Sequence, residues 1–363
     1  MSIQHLIPPW LASLVPYQPG KPIEEVEREY GIRDSIKLAS NENPFGPSPR
    51  AVTALREALG GVHRYPDGGG FYLKQKLARK LGVGAEQVAL GNGSNEILEL
   101  LARSFLRPGE DAVMSDQAFV VYASVVQAAA GIPRAVPLKD FTHDLDAMLA
   151  AVGRSTRLVF LGNPNNPTGT IYRRGAFERF LERIPRDVLV VADDAYAEYV
   201  EDPEYPRTRD YLRADRLLVG LRTFSKIYGL AGLRIGYGVG PAEVIAALER
   251  VRQPFNVNSL AQAAALAALD DEEHVERSRR GNRQGMRFLE AEFSRLRLDH
   301  VPSQANFVLV RVGEAAAVYE KLLRQGVIVR PVAGYGFPEH VRVTVGTEAE
   351  NRRFVEALET ALR

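Results

Sequence analysis

Apolar positions along the chain recur in two rhythms. Between about residues 48 and 240, stretches with a period near 3.6 alternate with short continuous apolar runs. The helical period predicts helices over 49–59, Phe71–Leu81, 95–105, 122–130 and 175–183. The runs 112–115, 158–161, 188–192 and 217–221 carry no polar face and read as strands buried on both sides. Buried strands separated by helices imply a mostly parallel sheet covered on both faces, an α/β fold whose ligands bind at the carboxyl ends of the strands.

After 241–252 the rhythm changes. Long helical patterns cover 259–269 and 272–296. Strands follow at 306–312, 327–331 and 341–345, with helices at 314–325 and Glu348–Leu362. This reads as a smaller α+β domain. The chain before residue 46 is broken by Pro8, Pro9, Pro16, Pro19 and Pro22, with one amphipathic helix expected at Ile23–Tyr30. The expected organisation is therefore an N-terminal arm (1–45), a large domain (46–250) and a small C-terminal domain (251–363).

Composition narrows the function classes. At 363 residues the chain is long enough for roughly two domains. Its 46 basic and 45 acidic residues leave a net charge of +1, which points to neither a nucleic acid nor a membrane surface as partner. The absence of cysteine excludes disulfides, thiolate catalysis and cysteine-ligated metal. Six scattered histidines form no metal spacing, so no metal site is expected. The first residues lack a basic region followed by an apolar core, and no uncharged apolar run approaches membrane-spanning length; a cytoplasmic location is expected.

Candidate chemistry sits at the ends of the predicted strands. Lys226 follows the run 217–221 and lies among Thr223, Ser225, several glycines and Arg234, whereas the other lysines have polar or helical surroundings. A lysine desolvated beside cations loses proton affinity and becomes an amine able to form a Schiff base; the alternative is a strand-end lysine in an ordinary surface ion pair. The loop Gly91-Asn92-Gly93-Ser94-Asn95-Glu96 opens a helix, whose free N–H groups and dipole suit a phosphate; the alternative is a plain capped helix with Ser94 as N-cap. It matches neither GxGxxG nor GxxxxGK[ST]. The segment 163–169, Asn-Pro-Asn-Asn-Pro-Thr-Gly, must form a turn that presents side-chain amides, Asn166 among them. Asp193 ends a buried run and needs a cationic partner such as a protonated ring nitrogen, with Tyr196 three positions on; it reads alternatively as a helix cap. Arg342, inside an alternating strand, suits a bidentate carboxylate, and Arg330 is a second arginine of that kind; either reads alternatively as an edge-strand ion pair.

Taken in order, these motifs resemble fold-type I pyridoxal-phosphate aminotransferases, class II, and the resemblance runs the length of the chain. It implies a large domain with a mostly parallel, seven-stranded sheet between helices. It implies that Lys226 holds pyridoxal 5'-phosphate as a Schiff base and shuttles a proton, that Asp193 keeps the ring nitrogen protonated, and that Tyr196 and Asn166 bind the ring oxygen. Phe119, where the family more often has tyrosine, would stack on the ring. Ser94, Asn95, Thr223, Ser225 and Arg234 would hold the phosphate, with Tyr65 reaching it from the other subunit of a homodimer. Tyr17, Asn43, Tyr65, Asn166, Arg330 and Arg342 would meet the substrate. The arm Pro16-Tyr17-Gln18-Pro19-Gly20-Lys21-Pro22 and the segment 41–46, Asn-Glu-Asn-Pro-Phe-Gly, are similar to the branch that exchanges an amino group between histidinol phosphate and 2-oxoglutarate in histidine biosynthesis. Relatives acting on aromatic amino acids, or decarboxylating threonine phosphate, share much of the same motif set.

Overall fold

The computed structural model describes residues 3–212 and 216–363; the first two residues, which open the expected arm, lie outside it. The arm holds α1 (Pro9–Ala12), α2 (Ile23–Tyr30) and β1 (Ile36–Lys37). Then come α3 (Pro49–Ala58), α4 (Phe71–Leu81), β2 (Val88–Gly91), α5 (Gly93–Phe105), β3 (Asp111–Ser115), α6 (Val121–Ala128) and β4 (Ile132–Val136). The chain continues through α7 (Leu145–Ala151), β5 (Thr156–Gly162), α8 (Arg174–Arg183), β6 (Leu189–Asp193), β7 (Leu218–Thr223), β8 (Gly236–Val239) and α9 (Ala242–Val251). The remainder is α10 (Ser259–Ala268), α11 (Glu272–Arg295), β9 (His300–Val301), β10 (Phe307–Arg311), α12 (Ala315–Arg324), β11 (Val327–Ile328), β12 (Arg330–Pro331), β13 (His340–Thr344) and α13 (Glu348–Leu362).

Seven strands form the central sheet in the order β2-β8-β7-β6-β5-β3-β4. Every pairing from β7 to β4 is parallel, while β8 runs antiparallel to both of its neighbours. The two faces follow from side-chain alternation along the strands. Val159, Leu161, Val190 and Ala192 pack with Phe177, Phe180 and Met148 on one side. Leu158, Phe160, Leu189 and Val191 pack with Ile97, Leu101 and Tyr122 on the other. A sheet buried on both faces leaves only its strand ends free to carry chemistry. Asp193 and Thr223 stand at the carboxyl ends of β6 and β7.

The C-terminal part builds a second, antiparallel sheet in the order β12-β13-β10-β9. Val308, Val310, Val341 and Val343 of this sheet pack against Leu289 and Phe293 of α11 and Phe354 and Leu358 of α13. The arm is woven into this unit. Ile36 and Lys37 pair in parallel with Val327 and Ile328, and the Thr344 amide donates to the Leu38 carbonyl at 2.9 Å. That pairing carries residues 38–43 past the carboxyl edge of the large sheet.

Several elements lie outside the predicted set. β2 and β8 are four residues each and rich in glycine, too short to show a period. β4, Ile-Pro-Arg-Ala-Val, is mostly exposed and carries a proline, which only an edge strand tolerates. The run 327–331 divides into β11, which pairs with the arm, and β12, which pairs with β13.

Candidate active site

A cavity of about 500 Å³ opens at the carboxyl edge of the large sheet, between it and the antiparallel unit. α5 begins at its rim. Gly93, with φ of +72°, turns the chain into the helix, so that Ser94 and Asn95 face the cavity from the first turn. Ser94 is thus the second helical residue; Asn92 holds the cap position. Thr223 and Ser225 follow β7, and the Ser225 amide donates to Thr223 Oγ1 at 3.1 Å. Arg234, itself at φ +55°, brings Nη1 to 3.4 Å from Ser225 Oγ. The fit of this corner is close: a Cβ on Gly93 would stand 2.7 Å from Arg234 Nη2, and one on Gly236 would stand 2.5 Å from the Ser94 amide nitrogen. Backbone N–H groups at a helix start, two hydroxyls and a guanidinium together make an anion cradle.

Lys226 follows that cradle. Its Nζ donates to the Ser40 carbonyl at 3.1 Å and lies 5.5 Å from the centre of the Tyr196 ring. Burial, and then the guanidinium of Arg342, lower its pKa to about 8. Asp193, at 5% exposure, accepts from the Tyr122 hydroxyl at 2.9 Å and from the Ala195 amide at 3.3 Å. Burial raises it to about 6, against the pull of the Tyr122 hydrogen bond, the Ala195 amide and the Lys226 charge. Amine and carboxylate line one cavity, and burial pushes each toward its neutral form.

Tyr196 is buried and its hydroxyl accepts from Asn41 Nδ2 at 2.9 Å. Burial raises its pKa, and Arg342 and Asn41 oppose the rise. Asn166 faces the cavity, and its Oδ1 accepts from Arg342 Nη1. The other amides of the 163–169 turn are spent inside the protein: Asn163 bonds both ways with the backbone of Tyr172, and Asn165 donates to the Gln117 carbonyl and Thr168 Oγ1. Arg342, on β13, is buried with its guanidinium 5.1 Å from the Phe307 ring; Nη2 donates to the Ala39 carbonyl at 2.7 Å. Its Nε is buried without a partner among the described residues.

Of the residues singled out from sequence, Tyr17, Ser94, Asn95, Phe119, Asn166, Asp193, Tyr196, Thr223, Ser225, Lys226, Arg234 and Arg342 all line this cavity. Three stand apart from it. Asn43 points the other way, donating to the Ile227 carbonyl at 2.7 Å and to Ser278 Oγ at 2.9 Å, so it braces the segment after Lys226 from behind. The neighbouring Asn41 occupies the cavity wall instead, at φ +56°, a conformation asparagine tolerates better than most residues. Arg330 pairs in register with Arg342 but lies outside the lining, its guanidinium 5.3 Å from the Tyr17 ring. Tyr65 is 83% exposed and stacks on Phe255 at 4.8 Å. Tyr122 and Tyr335 also line the cavity, and only the tertiary structure brings them there. The described residues hold no cluster of three or more metal-ligating side chains, and none of their helices is long and apolar enough to cross a membrane.

A buried amine of lowered pKa and a buried carboxylate, lining one cavity at the carboxyl edge of such a sheet, suit chemistry on carbonyl and amino groups. The chain belongs to the class I and II aminotransferases, a family it matches over residues 33–358. It is 54% identical to histidinol-phosphate aminotransferase 1 of Nitrosococcus oceani, over 96% of this chain and 95% of that protein. It is 51% identical to the histidinol-phosphate aminotransferase of Moorella thermoacetica, over 97% and 92% respectively. Among solved structures, histidinol-phosphate aminotransferase from Sinorhizobium meliloti in complex with pyridoxal-5'-phosphate superposes with a TM-score of 0.91 at 30% identity, covering 98% of this chain and 97% of that one.

Proposed function

We propose that this chain transfers the amino group between histidinol phosphate and 2-oxoglutarate, using pyridoxal 5'-phosphate, as a cytoplasmic homodimer. The observation that carries the reading is the shared cavity. An anion cradle stands beside an amine of lowered pKa, with a buried carboxylate facing the same space and an arginine with an unpartnered Nε. That donor set fits a flat cofactor with a phosphate on one side and a ring nitrogen on the other. Pyridoxal phosphate, when bound, supplies a carbonyl carbon for amines and a protonated ring that draws electron density from a substrate's Cα.

The chain's own residues do the rest. Ser94, Asn95, Thr223, Ser225 and Arg234 bind the cofactor's phosphate. Phe119 covers one ring face. Asp193, ionised, holds the ring nitrogen's proton, and Tyr196 and Asn166 address the ring oxygen. Lys226 would hold the cofactor, and its amine would carry a proton to and from the substrate's Cα; an amine near pKa 8 serves as both acid and base close to neutral pH. Arg342 receives the carboxylate of glutamate. Tyr17 and Arg330, with Tyr65 of the partner subunit, receive the phosphate of the alternative substrate. The dimer is supported by Leu59, Val62, Tyr65, Phe71 and Tyr72, large apolar and aromatic side chains all exposed along one stretch.

The test is a substrate panel on the purified holoenzyme with 2-oxoglutarate as acceptor. A site with paired charges for a phosphate should favour histidinol phosphate over phenylalanine by at least about 10²-fold in kcat/KM. The opposite ranking would assign the chain to aromatic amino acids. Release of carbon dioxide without need of a keto acid would make it a decarboxylase.

A further inference from the structure

Tyr122 lies on α6, one helical turn beyond Phe119, with its ring in the core under the large sheet. It is 2% exposed and stacks flat on Phe160 of β5, with centroids 5.2 Å apart and planes 7° from parallel. A ring in that position needs no hydroxyl for packing, and burying one is costly unless it is hydrogen-bonded. Here the hydroxyl donates to Asp193 Oδ2 at 2.9 Å. The other face of the hydroxyl meets Gly162, where a Cβ would stand 3.0 Å away. Gly162 pairs in register with Asp193 across β5 and β6, so the missing side chain opens the space that brings hydroxyl and carboxylate together. The edge of the same ring meets Phe119 at 5.7 Å and 89°.

We propose that Tyr122 is a positioning residue for the cofactor: its hydroxyl orients and keeps ionised the Asp193 carboxylate, while its ring sets the plane of Phe119. This rests on the reading that Asp193 meets the ring nitrogen. Asp193 Oδ2 is taken by Tyr122 and Oδ1 by the Ala195 amide, so the carboxylate is held from two directions and cannot turn freely. The bond also opposes the upward push that burial exerts on this acid. Without it, protonated Asp193 competes with the ion pair that a protonated ring nitrogen requires.

The experiment compares Tyr122→Phe, Asp193→Ala and the double variant. Three readouts are taken: cofactor affinity by absorbance titration of the apoprotein, kcat and KM separately, and the pH profile of kcat. Tyr122→Phe should weaken pyridoxal phosphate binding and lower kcat by about tenfold each, with both substrate KM values within about twofold, because one charge-assisted hydrogen bond is lost. Removing a donor to the carboxylate raises its pKa, so the acid limb of kcat should move up by about one pH unit. In the Asp193→Ala background the Tyr122→Phe change should have no further effect. Gly162→Ala keeps the ring but crowds the hydroxyl, and should give the same weaker binding and upward shift even if Tyr122→Phe folds poorly. The proposal is overturned if both variants bind cofactor and turn over like the wild type, or if Tyr122→Phe costs as much without Asp193 as with it. Full activity and cofactor affinity in Asp193→Ala alone would instead remove the reading of Asp193.

Discussion

Lys226 is costly to bury, and its chemistry depends on that cost. Its pKa in the folded chain is about 8, against an ordinary value of 10.5. Below pH 8 the amine is charged in both folded and unfolded states, and the folded state bears a penalty of about 3 kcal/mol. Between 8 and 10.5 the unfolded chain binds the proton and the folded one does not, so stability rises with pH through that window and the penalty is gone above it. Lys226→Met should therefore make the cofactor-free protein more stable by about 1–3 kcal/mol at pH 7, with the gain vanishing by about pH 10.5. The same substitution should lower transamination by at least about 10²-fold, the scale of a lost proton carrier. Urea unfolding at several pH values and a turnover assay check the two halves; an unchanged stability at pH 7 would mean that the amine is not desolvated. Lys226 stood out in the sequence because its neighbours differ from those of the other lysines, and the structure puts it in the cavity. Asn41 and Asn43 were not separable, since which of two nearby amides enters the cavity depends on a backbone turn at φ +56°.

At the scale of elements, the first turn of α5 and the segment after β7 meet at one corner of the cavity, an arrangement suited to an anion. Their closeness is enforced at Gly93, where both the positive φ and the approach of Arg234 exclude a side chain. Gly93→Ala should displace the Arg234 guanidinium and weaken pyridoxal phosphate binding by at least about tenfold, the worth of one charge-assisted hydrogen bond. Titration of the apoprotein measures it, and wild-type affinity would show that Arg234 takes no part in the cradle. Helix starts, turns and buried strands were readable from the order of residues, and α2, α4 and α13 fall where periodicity puts them. β2, β4 and β8 were not, because short or edge strands exist through the partners they pair with rather than through their own pattern.

Over the whole molecule, the arm threads through the C-terminal unit before it reaches the cavity, so the cavity wall joins segments far apart in the chain. Asn41, tied to Tyr196 just beyond β6 on one side and to Thr344 Oγ1 of β13 on the other, links the edge of the large sheet to the second sheet. The exposed Tyr65 lies outside its own chain's cavity, which accords with service to a partner subunit. If it does serve there, two inactive variants, Lys226→Ala and Tyr65→Ala, should complement each other. Mixed at equal amounts and allowed to exchange subunits, they should recover about one quarter of wild-type activity, since half the dimers carry one complete site of two. Mixtures no better than the average of the separate variants would place Tyr65 in its own chain's site or in none. Sedimentation of the same mixtures reports whether dimers form.

The amino-acid order alone determined the alternation of helices and strands, and it singled out a lysine, a carboxylate and an arginine that the structure brings to one cavity. These follow from local periodicity and from residue types that few other roles explain. Only the tertiary structure decided that Asn43 braces the protein while Asn41 faces the cavity. It likewise put Arg330 beside Tyr17, outside the lining, and brought the Tyr122 hydroxyl onto Asp193. Each of those outcomes depends on distances between segments remote in sequence, set by strand pairing and by close packing around glycines. Neither is written in any one stretch of the chain.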